Sequence, residues 1–338
     1  MILPKAGMAE IYTKMMARYR LAAPAMRPSS KVVEFLEITD AGEVIMDDRI
    51  TYKSPKEFFF PQYEKLMTFV RCSADLPDES TTLVPDFERE ERGLIIFGVR
   101  PCDLTALGIV TKVLTQGKFT DPYFATRLEN SIIIGVGCRE KKTGCFCELL
   151  TLDKSYSENC DLFLEDMEDS YRVQYVSDKG KEKLAEFIPG LEADAPAPTD
   201  LQPFFFLPSK EKNIEAKNIF DNVNWGQVAE ICQGCGLCSF VCPTCHCFDF
   251  KDVEQNGAFC RYRTWDSCMN PKFTLHASGH NPRESKTERF RQRVLHKYLY
   301  FPQNVGETAC TGCGRCIRSC PAGMNFKQII EGIMEELI

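Results

Sequence analysis

Cys232-Gln233-Gly234-Cys235-Gly236-Leu237-Cys238-Ser239-Phe240-Val241-Cys242-Pro243 and Cys310-Thr311-Gly312-Cys313-Gly314-Arg315-Cys316-Ile317-Arg318-Ser319-Cys320-Pro321 are two copies of one pattern, Cys-x2-Cys-x2-Cys-x3-Cys-Pro. The spacing has a chemical cause. Three thiolates placed two residues apart wrap a turn around one cubane and reach three of its irons, while the fourth cysteine points away and ligates the other cluster of a pair. Two [4Fe–4S] clusters are therefore expected. One is held by Cys232, Cys235, Cys238 and Cys320, the other by Cys310, Cys313, Cys316 and Cys242. Gly234, Gly236, Gly312 and Gly314 allow the tight turns that bring N–H groups to the sulfurs. Pro243 and Pro321 are expected to open helical turns, where a missing N–H costs nothing.

Other metal chemistries fit less well. A zinc ribbon also uses CxxC pairs, but zinc takes four ligands and each triple run leaves one thiolate over. A sirohaem-type pattern picked from Cys232, Cys238, Cys316 and Cys320 leaves Cys235 and Cys313 unexplained.

Working outward, the chain has 338 residues, of which 44% are hydrophobic and 26% charged, enough for two globular domains. Eighteen cysteines are the anomaly. A disulfide scaffold of that density belongs to small exported chains. The stretch Met1-Ile2-Leu3-Pro4-Lys5-Ala6-Gly7-Met8-Ala9-Glu10 has no apolar export region, and no run approaches the length of a membrane span. The expectation is a cytoplasmic chain whose reduced thiols bind metal. A net charge of −7 argues against a general nucleic-acid binder.

The N-terminal half reads as α/β. Leu94-Ile95-Ile96-Phe97-Gly98-Val99 and Ile132-Ile133-Ile134-Gly135-Val136 are continuous apolar runs, as in strands buried on both faces. Between them Leu104–Leu114 reads as a helix with Asp103 as its N-cap, which completes a βαβ unit. Residues 1–60 read as irregular, apart from a helix over Ala9–Leu21 and a strand over Val32–Ile38. A hairpin is expected over Asp161–Glu165 and Tyr171–Val176, and a helix over Lys179–Phe187. Five prolines between Pro189 and Pro208 mark a linker. Beyond it, helices are expected over Trp225–Ile231, Glu288–Tyr300 and Lys327–Leu337. The resulting architecture is an α/β domain over 1–208 followed by an α-helical, ferredoxin-like two-cluster domain over 209–338.

Four cysteines form a separate group in the first domain. Cys102 follows the first buried strand and Cys138 the second. In a parallel sheet these strand ends share one edge, where α/β ligand sites are built. Cys145 and Cys147 lie in the loop beyond. The residues leave two readings open, a third [4Fe–4S] cluster or buried structural thiols. Cys245, Cys247, Cys260 and Cys268 either form a further metal site, or Cys245 and Cys247 line the cluster pocket beside Cys242, and Cys72 and Cys160 read as packing. From Arg261 to Lys297 there are nine Lys and Arg against three Asp and Glu. These basic residues are either a solvated helix face, or counter-charges for anionic clusters or a dock for an acidic partner. Gly135-Val136-Gly137 lacks the third glycine of a dinucleotide fingerprint, since Glu140 stands there. His276 and His280 make only a zinc half-site, and no nucleophile–His–carboxylate set stands out.

The motifs resemble a known family. The run CQGCGLCSFVCPTCHC from Cys232 to Cys247 is followed in order by Trp265-Asp266-Ser267-Cys268-Met269, Gly279-His280-Asn281-Pro282-Arg283-Glu284, Arg289-Phe290-Arg291 and Leu295-His296-Lys297, and then by the second run. The N-terminal half joins through Ser54-Pro55-Lys56-Glu57, Arg100-Pro101-Cys102-Asp103 and Cys138…Cys145-Phe146-Cys147. Together they resemble the A subunit of anaerobic sulfite reductase and the β subunit of cytoplasmic NiFe sulfhydrogenases. The resemblance implies an electron-transfer subunit with no catalytic site of its own. It would relay electrons between a flavin- and NAD(P)H-binding or ferredoxin-linked subunit and a catalytic subunit of hydrogenase, sulfite reductase or heterodisulfide reductase type. It also implies a third cluster on Cys102, Cys138, Cys145 and Cys147. A reading of another class is a redox-sensing iron–sulfur scaffold.

Overall fold

The structure is a computed structural model, and it describes residues 2–47, 49–71, 81–85, 92–188, 216–255 and 258–337. The proline-rich stretch 189–208 and Cys72 lie outside the described residues. Among the described residues, eleven strands form two sheets. The larger contains β1 (Ile2–Pro4), β2 (Arg20–Met26), β3 (Val33–Glu37), β6 (Leu94–Val99), β7 (Ser131–Val136), β8 (Leu162–Asp166) and β9 (Ser170–Tyr175), in the order β1-β9-β8-β7-β6-β2-β3. The smaller contains β4 (Tyr63–Arg71), β5 (Thr81–Pro85), β10 (Phe248–Gln255) and β11 (Ala258–Trp265), in the order β10-β11-β4-β5.

The two apolar runs are the centre of the large sheet. β6 pairs β7 in parallel from Leu94↔Ser131 onward, and every residue of both strands is buried. Alternate side chains serve opposite faces. Ile95, Phe97, Ile132 and Ile134 pack under the helices Met8–Arg18 and Asp178–Leu184. Leu94, Ile96 and Ile133 pack under the helices Pro101–Thr115 and Pro122–Glu129. Helices on both faces are what a parallel core requires, because neither face can meet water. The expected hairpin is β8–β9.

Several expectations are corrected. The first helix ends at Arg18 and the chain turns straight into β2, so residues 1–60 are largely ordered sheet and helix. Pro24 is tolerated in β2 because the parallel ladder to β6 covers only Arg20–Ala22. The helix after β6 starts at Pro101 with Arg100 as N-cap, and Asp103 lies inside the first turn. Pro243 and Pro321 sit in turns rather than opening helices. The region after 209 is not purely α-helical, since β10 and β11 form a hairpin of eight paired residues in the segment between the two cysteine runs. That hairpin adds to β4, so the small sheet is made from both sides of residue 208. Buried Arg263 on β11 bonds Glu64 of β4 and Asp121 ahead of the helix Pro122–Glu129, and Arg127 of that helix bonds Glu64 as well. This network fastens the small sheet against the large one.

The rest of the C-terminal region is helical. The helix Lys286–Leu295 begins with a capping box between Ser285 and Glu288. It widens into a π-helical turn at His296–Tyr300 and continues as Phe301–Val305. The helix Phe326–Leu337 packs beside it through Phe290–Phe326 and Ile330. Among the described residues no helix is long and apolar enough to cross a membrane.

Candidate metal centre

Among the described residues the thiols gather around three cavities. Cys232, Cys235, Cys238 and Cys320, with Cys316, line an outer cavity. Cys242, Cys310, Cys313 and Cys316 line a middle cavity. Cys102, Cys138, Cys145 and Cys147, with Cys313, line an N-terminal cavity. Among the described residues no three His, Cys, Asp or Glu side chains meet closely enough for a single metal ion. The thiols ring a space instead, as ligands of a polynuclear cluster do.

The local fold explains each set. Gly236 and Gly314 precede short helical turns at Leu237–Phe240 and Arg315–Arg318, and these turns carry the third cysteines, Cys238 and Cys316. The Gly234 N–H donates to Cys232 Sγ at 3.4 Å and the Gly312 N–H to Cys310 Sγ at 3.5 Å. In the N-terminal set Cys102 opens the helix after β6, while Cys138 follows β7 and is pinned by its N–H to Lys154 O at 2.8 Å. Cys145 and Cys147 arrive on a loop pressed against the second run. The Phe146 N–H donates to Gly312 O at 2.8 Å, and Cys145 Sγ meets Cys313 O at 3.5 Å. Gly312 has φ +62°, and a Cβ there would stand 2.5 Å from the Cys147 nitrogen. A Cβ on Gly314, at φ +73°, would collide with Gly144 O. Both positions need glycine for conformation and for close approach.

The cavities touch in series. Cys313 lines both the N-terminal and the middle cavity. Cys316 and Phe326 line both the middle and the outer one. Behind this row lies a salt bridge that sequence reading missed. Arg315 Nη1 and Nη2 donate to the two Asp103 oxygens at 2.6 and 2.7 Å, and Arg315 also bonds the Thr51 carbonyl and hydroxyl at 2.8 Å each. Both charged side chains are 1% exposed. The pair clamps the N-terminal helix that carries Cys102 to the turn that carries Cys316.

Other buried cations face the middle cavity. Arg293 and Lys297 line it. Lys297 Nζ donates to Cys242 Sγ at 3.3 Å, Thr244 Oγ1 at 2.9 Å and Ala309 O at 2.7 Å. Lys56 Nζ donates to the carbonyls of Cys242 at 2.9 Å and Cys245 at 2.5 Å, and sits 4.2 Å from the Trp265 ring centre. Of the nine basic residues between Arg261 and Lys297, four are buried: Arg263 on β11, and Arg289, Arg293 and Lys297 at i, i+4 and i+8 spacing on the helix. Two of those three reach the thiols, while Arg289 ties down the carbonyls of Met269, Arg283 and Glu284. The spacing was the signal in the sequence that could have picked them out.

The residues fit anionic clusters. Arg293 Nε and Thr311 Oγ1, on the wall of the middle cavity, are buried without a hydrogen-bond partner. Buried donors left unpaired are costly, and cluster sulfides would accept from them. Burial pushes the Cys102, Cys138, Cys238, Cys310 and Cys316 thiols up, and Cys313 up to about 11. Those six thiols are thus neutral until a metal displaces their protons, whereas the Cys245 thiol and the Lys297 ammonium hold the Cys242 thiol well below its ordinary range.

The 4Fe-4S dicluster domain family matches residues 231–324. The sulfhydrogenase 2 subunit beta of Pyrococcus furiosus is 30% identical over 343 residues, covering 97% of this chain and 96% of that one. The chain belongs to the sulfhydrogenase β-subunit family. It is an iron–sulfur, 4Fe–4S electron-transport protein and an oxidoreductase subunit. For this β-subunit homologue no solved structure matches. The dicluster match spans the outer and middle cavities, and the full-length likeness to the P. furiosus β subunit takes in the N-terminal one.

The remaining cysteines divide. Cys260 lies buried on β11 at 3.8 Å from Thr68 Oγ1, and buried Cys160 bonds Ser157 O, both as packing residues do. Cys245, Cys247 and Cys268 are half-buried and gather beside Cys242 and Arg293.

Proposed function

We propose that the chain is the iron–sulfur electron-transfer subunit of a hydrogenase-type complex and carries three [4Fe–4S] clusters. Cys232, Cys235, Cys238 and Cys320 would hold the first, Cys310, Cys313, Cys316 and Cys242 the second, and Cys102, Cys138, Cys145 and Cys147 the third. The observation that carries this reading is the row of three thiol-lined cavities joined through Cys313, Cys316 and Phe326. Electron tunnelling falls steeply with distance, so centres that share wall residues serve as a wire. Clusters bound there supply one-electron redox chemistry. The protein's own share is to exclude water, to donate N–H bonds from Gly234 and Gly312, and to balance charge with Arg293 and Lys297.

The ends of the row support two docking partners. At the outer end Cys235 is exposed, and at the other Cys145 sits half-buried in a loop. One end would meet a flavoprotein NAD(P)H- or ferredoxin-linked subunit and the other a hydrogenase-type catalytic subunit. The isolated chain would accept electrons from a strong reductant without oxidising NADH or NADPH.

Anaerobic purification followed by iron, acid-labile sulfide and zinc analysis tests the proposal. About twelve irons per chain, with three reducible centres, are expected for three cubanes. Stoichiometric zinc without visible charge-transfer absorption would overturn it. About eight irons would remove the N-terminal cluster alone.

A further inference from the structure

The walls of the three cavities differ in charge. No charged residue lines the outer one. Glu140, Lys141, Lys142 and Lys154 line the N-terminal one, but they lie exposed or half-buried, where water and salt screen them. Arg293 and Lys297 line the middle one, and Lys56 bonds the backbone of Cys242 in its wall. Each of these three cations is at most 5% exposed. Two other buried guanidinium groups meet carboxylates, Arg315 with Asp103 and Arg263 with Glu64. The three cations here do not. Apart from the ring faces of Trp265 and Phe326, their partners are carbonyls, hydroxyls and cysteine sulfurs. A buried charge without a counter-ion is costly, so the fold keeps positive charge here for an anion.

Lys297 is the best placed of the three. It sits in the π-helical turn His296–Tyr300, a kind of widening that recurs at functional sites. Its Nζ donates to Cys242 Sγ at 3.3 Å, Thr244 Oγ1 at 2.9 Å and Ala309 O at 2.7 Å. The Thr244 hydroxyl gives its own proton to Ala309 O at 2.7 Å, so towards the lysine it can only accept. All three N–H groups of an ammonium are thereby engaged, and one of them points at a cysteine sulfur. Lys56 reaches the same cysteine through the backbone. Its N–H is held by Ser54 Oγ at 3.2 Å, and its Nζ donates to the carbonyls of Cys242 at 2.9 Å and Cys245 at 2.5 Å. Arg293 adds a buried Nε with no hydrogen-bond partner.

We propose that Lys297, supported by Lys56 and Arg293, makes the middle centre the highest in reduction potential of the three, so that a single electron on the chain rests there. The inference rests on the three-cluster reading above. Reduction brings one electron and one negative charge to the centre; no ligand bond breaks and no proton is needed. Potentials of such centres follow local charge and the hydrogen bonds to their sulfurs. The N–H bonds from Gly234 and Gly312 are matched between the outer and middle sites, so they cancel in the comparison. The lysine bond to Cys242 has no such match at Cys320, the corresponding residue of the second run, among the described contacts. Burial of the middle site opposes added charge, but the desolvation of the three cations is the same in both redox states. Their whole attraction therefore acts on the reduced form. The row has its low point at the centre. An electron runs downhill to it from either end, and it leaves when a second electron arrives or a stronger acceptor docks.

The test is a mediated reductive titration of the anaerobic holoprotein followed by electron paramagnetic resonance, with iron and labile sulfide measured on the same samples. The N-terminal and outer signals are assigned by their loss in Cys102→Ser and Cys235→Ser. In the wild type the remaining signal, from the middle centre, should be the first to appear. In Lys297→Met at full iron its midpoint should fall while the other two hold. Lys297→Arg keeps the charge and should titrate close to wild type. Lys56→Met should shift the same midpoint in the same direction by less. A middle signal that appears after another in the wild type, or one that stays in place in Lys297→Met at full iron, overturns the proposal and leaves the clusters standing. A midpoint as low in Lys297→Arg as in Lys297→Met does so too. Loss of about four irons from Lys297→Met and Lys56→Met alike also overturns it, since the lysines would then hold the ligand in place rather than set its potential. Absence of iron and sulfide from the wild type overturns both this inference and the reading beneath it.

Discussion

The outer and the N-terminal cavities each gather thiols from both ends of the chain's cysteine sets, but they are assembled by opposite routes. In the outer cavity Cys232, Cys235 and Cys238 come from one short stretch, and Cys316 and Cys320 come together from the second run. In the N-terminal cavity Cys102 and Cys138 come from the ends of neighbouring parallel strands, and Cys145 and Cys147 from a loop pressed onto the second cysteine run. The first site needs a few local turns. The second needs the whole sheet, the clamp between Asp103 and Arg315, and the absence of a side chain at Gly312. A site built from distant parts inherits the stability of everything between them. The N-terminal centre should therefore be the one that distant substitutions damage.

The largest expected effect lies in the metal itself. Cys102→Ser and Cys145→Ser should each lower the iron content by about four of about twelve atoms, because a cubane missing one thiolate is exposed and labile. The signals of the outer and middle clusters should persist, as read by electron paramagnetic resonance of the reduced protein. A full set of clusters in either variant would make these cysteines structural and erase the contrast.

Next comes the clamp. Arg315→Met would leave the Asp103 carboxylate buried and unpaired, which costs about 3–5 kcal/mol. Denaturant unfolding should show that loss, and the N-terminal cluster should be released before the outer one. Equal loss of all clusters would mean that the three sites unfold as one unit.

A matched pair of glycines sharpens the comparison further. Gly234 and Gly312 hold the same place in the two runs, with φ of +69° and +62°. Beside Gly234 the nearest neighbour of an added Cβ is Lys286 Cγ at 3.7 Å, whereas at Gly312 it is backbone at 2.5 Å. Gly234→Ala should cost about 1 kcal/mol for conformation alone, and Gly312→Ala about 1–3 kcal/mol more for strained backbone that has to shift. Only the second substitution should also displace the Cys145–Cys147 loop. Equal melting shifts for the two would show that the loop yields freely.

The same contrast explains what the sequence revealed. The dicluster domain was legible because cubane geometry is written into the local spacing of the two cysteine runs, and the βαβ unit because strands covered on both faces become unbroken apolar runs. β2 was not legible. Arg20-Leu21-Ala22-Ala23-Pro24-Ala25-Met26 has neither β-branched residues nor alternation, and it is a strand because β3 and β6 flank it. The hairpin β10–β11 carried a usable signal in the alternation of Phe248, Phe250 and the residues facing them, but the basic character of that segment drew attention to the helix beyond. Arg315 was invisible for another reason. Nothing local distinguishes an arginine that meets a buried aspartate more than two hundred residues earlier from one that faces water.

The smallest effects are expected at the two packing thiols, Cys160 and Cys260. Cys160 donates to Ser157 O at 3.4 Å under the large sheet, and burial pushes its thiol up to about 12, so it stays a neutral, compact hydrophobe. Cys260 fills the equivalent role on β11 beside Thr68. Truncation of either to alanine removes one buried sulfur and leaves a void smaller than a side chain, at a cost of about 1 kcal/mol. Neither change should release iron, because neither residue lines a thiol-ringed cavity. Thermal melts together with iron analysis of Cys160→Ala and Cys260→Ala check this. A loss of about four irons from either would mean that ligands are shared more widely than the three rings of cysteine suggest. A small melting shift with full iron would place the boundary between metal-binding and packing thiols at the cavity walls, which is where the exposure and hydrogen bonding of the remaining cysteines also put it.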